Sequence, residues 1–270
     1  MTSSPIGGTT QLVGILGWPV DHSLSPRMHN AAFAATGFDW AYIPLPTAPD
    51  RLGEAVGGLA ATGFAGANVT IPHKVDVMGF CDDVDDVAGL AGSVNTLVFD
   101  DGRVYGSSTD GRGVDRVEAK GRRILLGGAG GAARPVACAL LGRGAVELTL
   151  AARRGEAARS LAADLQERFP EVSIGATESW PPTGDADVIV NATPVKDAVM
   201  VELRPDQQVV DLAYRADRTP TAMVERAREL GCEIVIDGLE FLLRQGAASF
   251  ELWTGREAPI EPMRDALRMI

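Results

Sequence analysis

The chain has 270 residues, of which 46% are hydrophobic and 23% charged, so it is long enough for two globular domains with separate cores. Its formal net charge of −11 argues against nucleic acid or an anionic membrane as a partner. No run of apolar residues approaches the ~20 that a membrane span needs, so we expect no membrane association.

The first half of the chain alternates strand and helix patterns. Ser25 predicts the N-cap of a first helix, and Gly37 predicts its end. Asp50 predicts the N-cap of a second helix, and Asp101-Gly102 favours the tight turn of a hairpin. The elements predicted for this half are strands over residues 12–18, 40–45 and 66–71, helices over 26–36 and 50–61, and the hairpin over 93–107.

A second series of strands and helices begins at residue 124. Strands separated by helices indicate a parallel sheet with helices on its faces. The tail 239–252 has apolar residues at helical spacing, and we expect it to return to the first half of the chain. The strands predicted for this series cover residues 124–128, 146–151, 187–192, 208–213 and 232–236, and the helices cover 131–142, 156–168 and 220–230.

A glycine-rich turn directly follows the strand predicted at residue 124. Gly128, Ala129, Gly130, Gly131 and Ala132 open a G-x-G-x-x-A pattern. In such a pattern the first glycine allows the tight turn, the second admits a pyrophosphate to the backbone, and the last small residue lets helix and strand pack closely. The helix N-terminus adds partial positive charge. The pattern therefore predicts a dinucleotide site, and a plain glycine-rich turn is the alternative.

The end of the next predicted strand bears on the choice of dinucleotide. An NAD enzyme would be expected to carry Asp or Glu there, to bind the ribose 2′-hydroxyl. This chain has Arg153-Arg154 instead, and two guanidinium groups suit the 2′-phosphate of NADP. The pattern favours NADP over NAD, and two solvated arginines in a loop are the alternative.

Polar residues cluster in two short segments of the first half. Ser23 and Ser25 supply two hydroxyls, and Asn68, Thr70 and Lys74 supply an amide, a hydroxyl and an ammonium. Such a set suits a small polyhydroxylated acid. With the dinucleotide turn, it indicates a redox enzyme that acts on such an acid.

Lys74 is a candidate for proton transfer. It follows a predicted strand end, where α/β sheets bind ligands, and Asn95 and Asp110 lie on or just beyond the predicted hairpin. A lysine beside a carboxylate forms a plausible proton-transfer pair, because reduction of a ketone needs a proton as well as a hydride. A structural salt bridge is the alternative.

Taken together, these motifs resemble those of the shikimate dehydrogenase family. Sequence segments typical of the family occur in the family's order across nearly the whole chain. They are GWPVDHSLSPRMHNAAF, NVTIPHK, AGSVNT, STDGRG, GGAGGAA, NATP, VVDLAY with RTP, and QGAASFELWTG. The resemblance implies reversible, NADPH-dependent reduction of 3-dehydroshikimate to shikimate, in the biosynthesis of chorismate and aromatic amino acids.

The resemblance also implies a role for each matching residue. Ser23 and Ser25 would bind the substrate carboxylate, and Lys74 would be the acid/base with Asp110 as its partner. The residues implied to contact the rest of the substrate, or to lie beside it, are Asn68, Thr70, Asn95, Tyr214 and Gln245. The residues implied to bind NADP are Gly128, Ala129, Gly130, Gly131, Ala132, Arg153, Arg154, Thr193, Leu212 and Gly238.

The implied fold is α/β with two domains. An N-terminal α/β substrate domain would cover residues 1–107 and be completed by C-terminal helices in 238–270. A Rossmann-like parallel-sheet dinucleotide domain would cover 108–237. The active site is expected in the cleft where the two sets of motifs meet.

Several positions depart from the family's usual pattern. Ser108 replaces an asparagine, Ala152-Arg153-Arg154 replaces Asn-Arg-Thr, and Glu240 stands where a second glycine is common. These departures leave two choices open: shikimate or quinate as the substrate, and NADP or NAD as the cofactor. A quinate or aminoshikimate dehydrogenase, with NADP or NAD as its cofactor, is therefore an alternative, as is a non-catalytic sensor of NADP or a shikimate-like acid. Schiff-base chemistry at Lys74 is a third.

Cysteine usage and the N-terminus bear on the compartment. Cys81, Cys138 and Cys232 are scattered without metal-like spacing, which fits a reducing cytoplasm and predicts no metal site. The first residues lack a basic region followed by an apolar core, so we expect no signal peptide. The expected partner is a small-molecule substrate, and the expected state is a monomer or a homodimer.

Overall fold

The computed structural model describes residues 6–179, 182 and 185–268. The chain divides into two compact units, Met1–Thr109 with Leu242–Ile270 and Asp110–Phe241. Each unit contains a six-stranded sheet, and helices alternate with the strands along the chain. The predicted α/β class with a Rossmann-like parallel sheet is confirmed. No helix in the described part of the chain is long and apolar enough to cross a membrane.

The first unit has a mixed sheet with the strand order β2-β1-β3-β5-β6-β4. The strands β1, β2 and β3 are parallel, whereas β5 runs antiparallel to both β3 and β6. The strands are β1 (Gln11–Gly17), β2 (Trp40–Pro46), β3 (Gly66–Val69), β4 (Asp83–Val84), β5 (Thr96–Asp100) and β6 (Arg103–Ser107). The helices before β6 are α1 (Ser25–Thr36), α2 (Leu52–Ala61) and α3 (Asp86–Ala91).

The second unit has an all-parallel sheet with the strand order β12-β11-β10-β7-β8-β9. The chain starts in the middle of this sheet and moves outward in both directions, as expected of a doubly wound fold. The strands are β7 (Arg123–Gly127), β8 (Glu147–Ala151), β9 (Ser173–Thr177), β10 (Val188–Asn191), β11 (Gln208–Asp211) and β12 (Val235–Ile236). The helices are α4 (Ala133–Gly142), α5 (Gly155–Arg168) and α6 (Ala222–Glu229).

Two C-terminal helices complete the core of the first unit. They are α7 (Gly238–Thr254) and α8 (Ile260–Arg268). Phe33 of α1 contacts Phe250 of α7, with ring centroids 5.6 Å apart, and Met263 of α8 is buried in the same cluster. Burial of large apolar side chains contributes roughly 1.5–3 kcal/mol each, so this tail adds substantially to the stability of the first unit.

The observed elements differ from the predicted ones at several places. Leu24, not Ser25, is the N-cap of α1, and no side chain caps that helix. Asp50 lies in a 3-10 turn, and α2 begins two residues later without a side-chain cap. The helix predicted from residue 131 begins at Ala133, because the glycine-rich turn occupies the preceding positions. The elements β4, α3, β9 and α8 were not predicted.

The hairpin prediction is confirmed at its turn. Asp101 and Gly102 both have positive φ, 46° and 74°, as a two-residue type I′ turn requires. This turn pairs β5 with β6, and the register places Thr96 opposite Ser107 at the far end of the hairpin.

His29 is a completely buried histidine in α1. Its ring stacks on Tyr42 with centroids 4.6 Å apart and planes 7° apart, and the ring of Trp253 lies 5.2 Å away. Neither ring nitrogen has a hydrogen-bond partner among the described residues. Burial lowers the pKa of His29 to about 3, because the imidazolium would lose its hydration. The imidazole is therefore neutral in the folded chain.

We expect His29→Phe to flatten the acid side of the stability profile. The unfolded chain takes up a proton at His29 near pH 6.5, whereas the folded chain resists it to about pH 3. Stability that is present above pH 6.5 is therefore lost as the pH falls toward 3, with a slope of up to ~1.4 kcal/mol per pH unit. Urea unfolding of both proteins across this range measures the two slopes.

The matched control is His22→Ala, since His22 is exposed. It should leave the slope of the free energy of unfolding against pH close to that of the unaltered chain. Equal slopes for the unaltered chain and His29→Phe would contradict the assignment of a neutral, buried imidazole.

Candidate active site

A buried hydrogen-bond network joins the sheet of the first unit to α7. The Tyr42 hydroxyl donates to Asn68 Oδ1 at 2.8 Å, and Asn68 Nδ2 donates to Ser249 Oγ at 3.0 Å. Asn68 Nδ2 also lies 3.1 Å from the backbone carbonyl of Asn95, to which it donates. Both ends of the Asn68 amide are therefore held in a fixed orientation.

Asn95 is the centre of the same network. Its Nδ2 donates to Thr109 Oγ1 at 2.9 Å and to Gln245 Oε1 at 3.0 Å, and its Oδ1 accepts the Thr109 backbone N–H at 2.7 Å. Gln245 Nε2 donates to the backbone carbonyl of Leu242 at 2.9 Å. The structure thus brings together Asn68, Asn95 and Gln245, three of the predicted substrate residues, although Gln245 lies 150 residues after Asn95.

The other predicted substrate residues of this unit lie in the loops that follow β1 and β3. The Ser25 backbone N–H donates to Ser23 Oγ at 3.3 Å, so the first serine helps to fix the start of α1. Thr70 directly follows β3, and Lys74 lies further along the same loop. Lys74 is buried, and its backbone carbonyl accepts the Val94 N–H at 2.8 Å. Because β1 and β3 are parallel neighbours, both loops lie at the same edge of the sheet.

The glycine-rich turn of the second unit lies between β7 and α4. Gly128 has a φ of 118°, its N–H donates to the Ala151 carbonyl at 2.7 Å, and an added Cβ would lie 2.7 Å from the Ala192 carbonyl oxygen. Only glycine fits there. A Cβ on Gly130 would meet nothing within 4 Å, so the turn is open above this residue, as a pyrophosphate site requires. The remaining residues of the turn are Ala129, Gly131 and Ala132.

Arg153 and Arg154 lie one residue beyond the end of β8, and both are exposed. Gly127, the last residue of β7, pairs with Ala151, the last residue of β8. The two arginines and the glycine-rich turn therefore lie at the same carboxyl edge of the sheet. No carboxylate stands between Ala151 and Arg154, so this edge carries the positive charge that a 2′-phosphate would need.

Asp211 anchors the loops after β10 and β11. Its Oδ1 accepts hydrogen bonds from Asn191 Nδ2 at 2.8 Å and the Ala213 N–H at 3.0 Å, and its Oδ2 accepts one from the Thr221 hydroxyl at 2.5 Å. Asn191 Oδ1 accepts both the N–H and the hydroxyl of Thr193. Burial raises the pKa of the Asp211 carboxyl, and these hydrogen bonds oppose the rise. One buried side chain thus supports the loop that carries Thr193 and the loop that follows β11.

The residues predicted for the nicotinamide end lie at the carboxyl ends of β11 and β12. The Leu212 N–H donates to the Asn191 carbonyl at 2.9 Å. A Cβ on Gly238 would collide with the Ala213 carbonyl, so the start of α7 packs directly on the backbone of this loop. A cavity of about 50 Å³ is lined by Tyr214 and Gly238 among others.

Asp110 is buried at the start of the 3-10 helix Asp110–Val114, in the second unit. Lys74 belongs to the first unit, so their pairing remains a prediction. Ser108, where the usual asparagine is missing, is buried, and its hydroxyl has no hydrogen-bond partner among the described residues. Glu240 lies in the first turn of α7, and its N–H donates to Asp237 Oδ1 at 2.9 Å.

Several residues that hold the site together were not predicted from sequence. Ser249 lies four residues after Gln245, and this spacing places both on one face of α7. Tyr42 interrupts an apolar strand, and a buried tyrosine hydroxyl usually needs a partner. Both signals are local and could have been used. Thr109 and Asp211 carry no comparable local signal.

Comparison with known proteins bears directly on this arrangement. Residues 15–97 match the model of the shikimate dehydrogenase substrate binding domain, and residues 238–268 match that of the shikimate 5′-dehydrogenase C-terminal domain. The shikimate dehydrogenase (NADP+) of Methanothermobacter thermautotrophicus is 42% identical, over 98% of each chain. This chain belongs to the shikimate dehydrogenase family. The resemblance inferred from the motifs is confirmed.

Solved structures of the shikimate dehydrogenase fold agree with this membership. A shikimate dehydrogenase in complex with NADP+ superposes with a TM-score of 0.87 at 35% identity, covering 98% of this chain and 97% of that one. The quinate dehydrogenase of Corynebacterium glutamicum in complex with NAD gives a TM-score of 0.85 at 30% identity, covering 97% of this chain and 99% of that one. Of these two relatives, one is in complex with NADP+ and the other with NAD.

Proposed function

We propose that this chain is an NADP-dependent shikimate dehydrogenase, an oxidoreductase that reversibly reduces 3-dehydroshikimate to shikimate in the biosynthesis of chorismate and aromatic amino acids. The observation that carries the proposal is full-length similarity to shikimate dehydrogenase (NADP+) in a chain that keeps both Lys74 and Asp110. A sensor would need neither residue, because binding alone requires no proton-transfer pair.

The first unit supplies the substrate-binding residues in this proposal. Ser23 and Ser25 bind the substrate carboxylate with their hydroxyls, and the hydrogen-bond network around Asn68 and Asn95 presents preformed amide groups to the ring hydroxyls. Thr70, Gln245 and, from the second unit, Tyr214 complete the substrate contacts. Groups that are already held by buried partners lose little further entropy on binding, which favours affinity.

Lys74 transfers the proton. During reduction its ammonium donates a proton to the ketone oxygen, which becomes the hydroxyl, and during oxidation its amine accepts that proton. Asp110 supports the charged form of the lysine. The low exposure of both side chains favours this role, because electrostatic interactions are stronger away from bulk water.

The second unit holds the dinucleotide. When bound, NADPH supplies the hydride for the reduction. The turn formed by Gly128 to Ala132 binds the pyrophosphate through backbone N–H groups, and Arg153 and Arg154 bind the 2′-phosphate. Thr193, Leu212 and Gly238 orient the nicotinamide end. The open backbone at Gly130 and the exposed arginines after β8 support this assignment.

Quinate oxidation with NAD is the second candidate. It is favoured by the structural similarity to a quinate dehydrogenase in complex with NAD and by the loss of the family's usual residues around Arg153. The absence of an acidic residue after β8 argues against it, because NAD enzymes use such a residue for the ribose. We further propose that the chain works in the cytoplasm, since its three cysteines form no disulfide among the described residues, and that it acts as a monomer or a homodimer.

Lys74→Ala should lower kcat for 3-dehydroshikimate by ~10²–10⁴-fold while changing KM much less, because a positioned acid/base acts mainly in the transition state. Steady-state kinetics with NADPH measure both parameters. Lys120→Ala, at an exposed lysine, is the control and should keep the kcat of the unaltered chain. Near-full turnover of Lys74→Ala at saturating substrate would show that Lys74 is not the acid/base.

The double variant Arg153→Ala/Arg154→Ala should weaken NADPH binding and leave NADH binding nearly unchanged. Only NADPH carries the 2′-phosphate, and each charge-assisted hydrogen bond to it contributes about 1.5–3 kcal/mol, or roughly ten- to a hundred-fold in Kd. Fluorescence titration with each reduced dinucleotide gives the two constants.

Arg122→Ala is the control, because Arg122 precedes β7 and lies at the opposite edge of the sheet. It should change neither dinucleotide constant. Equal loss of NADPH and NADH affinity in the double variant would mean that the arginines contact the part shared by both molecules, or act on the fold.

A further inference from the structure

Arg143, at the end of α4, forms three hydrogen bonds to backbone carbonyls of the segment 110–117. Its Nη1 donates to the Val114 carbonyl at 2.6 Å, and its Nη2 donates to the carbonyls of Asp115 and Val117 at 2.5 and 2.6 Å. Val114 is the last residue of the 3-10 helix that begins at Asp110. Carbonyls at the end of a helix and in the turn after it lack partners within the helix, and one guanidinium donates to three of them here. The Val114 carbonyl also accepts the Val117 N–H at 2.9 Å, so Arg143 reinforces a turn that is already closed there.

Two glycines allow the same segment to pack closely against its neighbours within the second unit. A Cβ on Gly111 would lie 3.0 Å from Ala139 Cβ, in the middle of α4. A Cβ on Gly113 would collide with the ring of Phe241. The 3-10 helix is therefore fixed on two sides by close packing and at its C-terminal end by Arg143.

Asp110 depends on this arrangement. It is the first residue of the 3-10 helix and is 1% exposed. The four residues that follow it in the helix, 111–114, therefore help to fix where its side chain lies. A shift of this five-residue helix, which is shorter than two turns, would move the carboxylate with it. We infer that Arg143 is a positioning residue for Asp110, and this inference rests on the proposed proton-transfer role of Lys74 and Asp110.

The chemistry of the guanidinium explains why arginine stands at this position. Its planar fork presents donors in two directions and reaches carbonyls that lie on either side of a turn. A lysine ammonium in the same place is a single point charge on a flexible stem. The ion pair between Arg143 and Asp115 Oδ1, at 3.9 Å and partly exposed, contributes little by comparison.

The test is a double-mutant cycle on kcat for 3-dehydroshikimate reduction with NADPH, using Arg143→Ala, Asp110→Asn and their combination. If Arg143 acts through Asp110, Arg143→Ala should lower kcat by about 10- to 100-fold in the unaltered background, because a displacement near 1 Å costs up to that factor. It should lower kcat little further in the Asp110→Asn background. NADPH affinity should not change, and Arg143→Lys should restore kcat only in part.

Arg134→Ala is the matched control. Arg134 is another arginine of α4, and it pairs with Asp164 at 3.2 Å rather than with the segment 110–117. It should leave kcat unchanged. All rates are measured well below the thermal midpoint of each variant, and Arg143→Lys replaces Arg143→Ala in the cycle if the alanine variant does not fold.

Amide hydrogen exchange separates this inference from the proposed function. Arg143→Ala should speed exchange at the N–H of Val117, which donates to the Val114 carbonyl, whether or not the chain has the proposed activity. Unchanged exchange would overturn the anchoring itself. Faster exchange with equal losses of kcat in both backgrounds would overturn the positioning role. Absence of shikimate turnover in the unaltered chain would overturn the proposed function and this role with it.

Discussion

Buried amides that must find partners impose the main constraint on the first unit. Asn68, Asn95 and Gln245 are all at most 7% exposed, and a buried amide without a partner costs about 1–3 kcal/mol. Each finds its partner in another part of the chain: Asn68 of β3 bonds to Asn95, the residue before β5, and Asn95 bonds to Gln245 of α7. The C-terminal helix therefore has to return to the first sheet to satisfy the polar groups. The same bonds hold the predicted substrate residues in fixed orientations, so one set of contacts meets the stability constraint and orders the proposed site.

In the second unit, a buried carboxyl group holds loops in place through hydrogen bonds, as the buried amides do in the first. Its sheet is entirely parallel, so the loops with predicted dinucleotide contacts all leave from one edge. Loops of this kind have little packing of their own. Asp211 compensates by accepting hydrogen bonds from Asn191, Ala213 and Thr221. Arg143 does the corresponding work for the 3-10 helix that carries Asp110, with carbonyls as acceptors. In both places a single buried or half-buried side chain forms several hydrogen bonds to a segment that carries or adjoins predicted site residues.

Local chemistry made much of this predictable from sequence. The apolar strands of the parallel sheet, the turn at Gly128 and the hairpin at Asp101-Gly102 follow from hydrophobic runs and from the backbone freedom of glycine. The pattern failed where an element is short or half-exposed. The two-residue β4 has no measurable period, and β9 (Ser173–Thr177) consists largely of small and polar residues with no buried face.

The remaining differences have one local cause and one long-range cause. Serine is a favoured N-cap residue, yet Ser25 does not cap α1. It is buried, and its N–H donates to the Ser23 hydroxyl. The bonds from Asn68 to Ser249 and from Asn95 to Gln245 join residues 181 and 150 positions apart, which no local pattern can predict. The motifs and the family resemblance predicted Asn68, Asn95 and Gln245 as substrate residues without explaining what holds them in place. The structure supplies that explanation.

The measurement that tests the central claim most directly is kcat/KM of the unaltered chain for shikimate and quinate, each with NADP+ and with NAD+. We expect the highest kcat/KM for shikimate with NADP+, at least about ten-fold above that for shikimate with NAD+, since one charge-assisted bond to the 2′-phosphate contributes about 1.5 kcal/mol or more. A preference for quinate, equal use of NAD+, or absence of turnover with all four combinations would contradict this expectation.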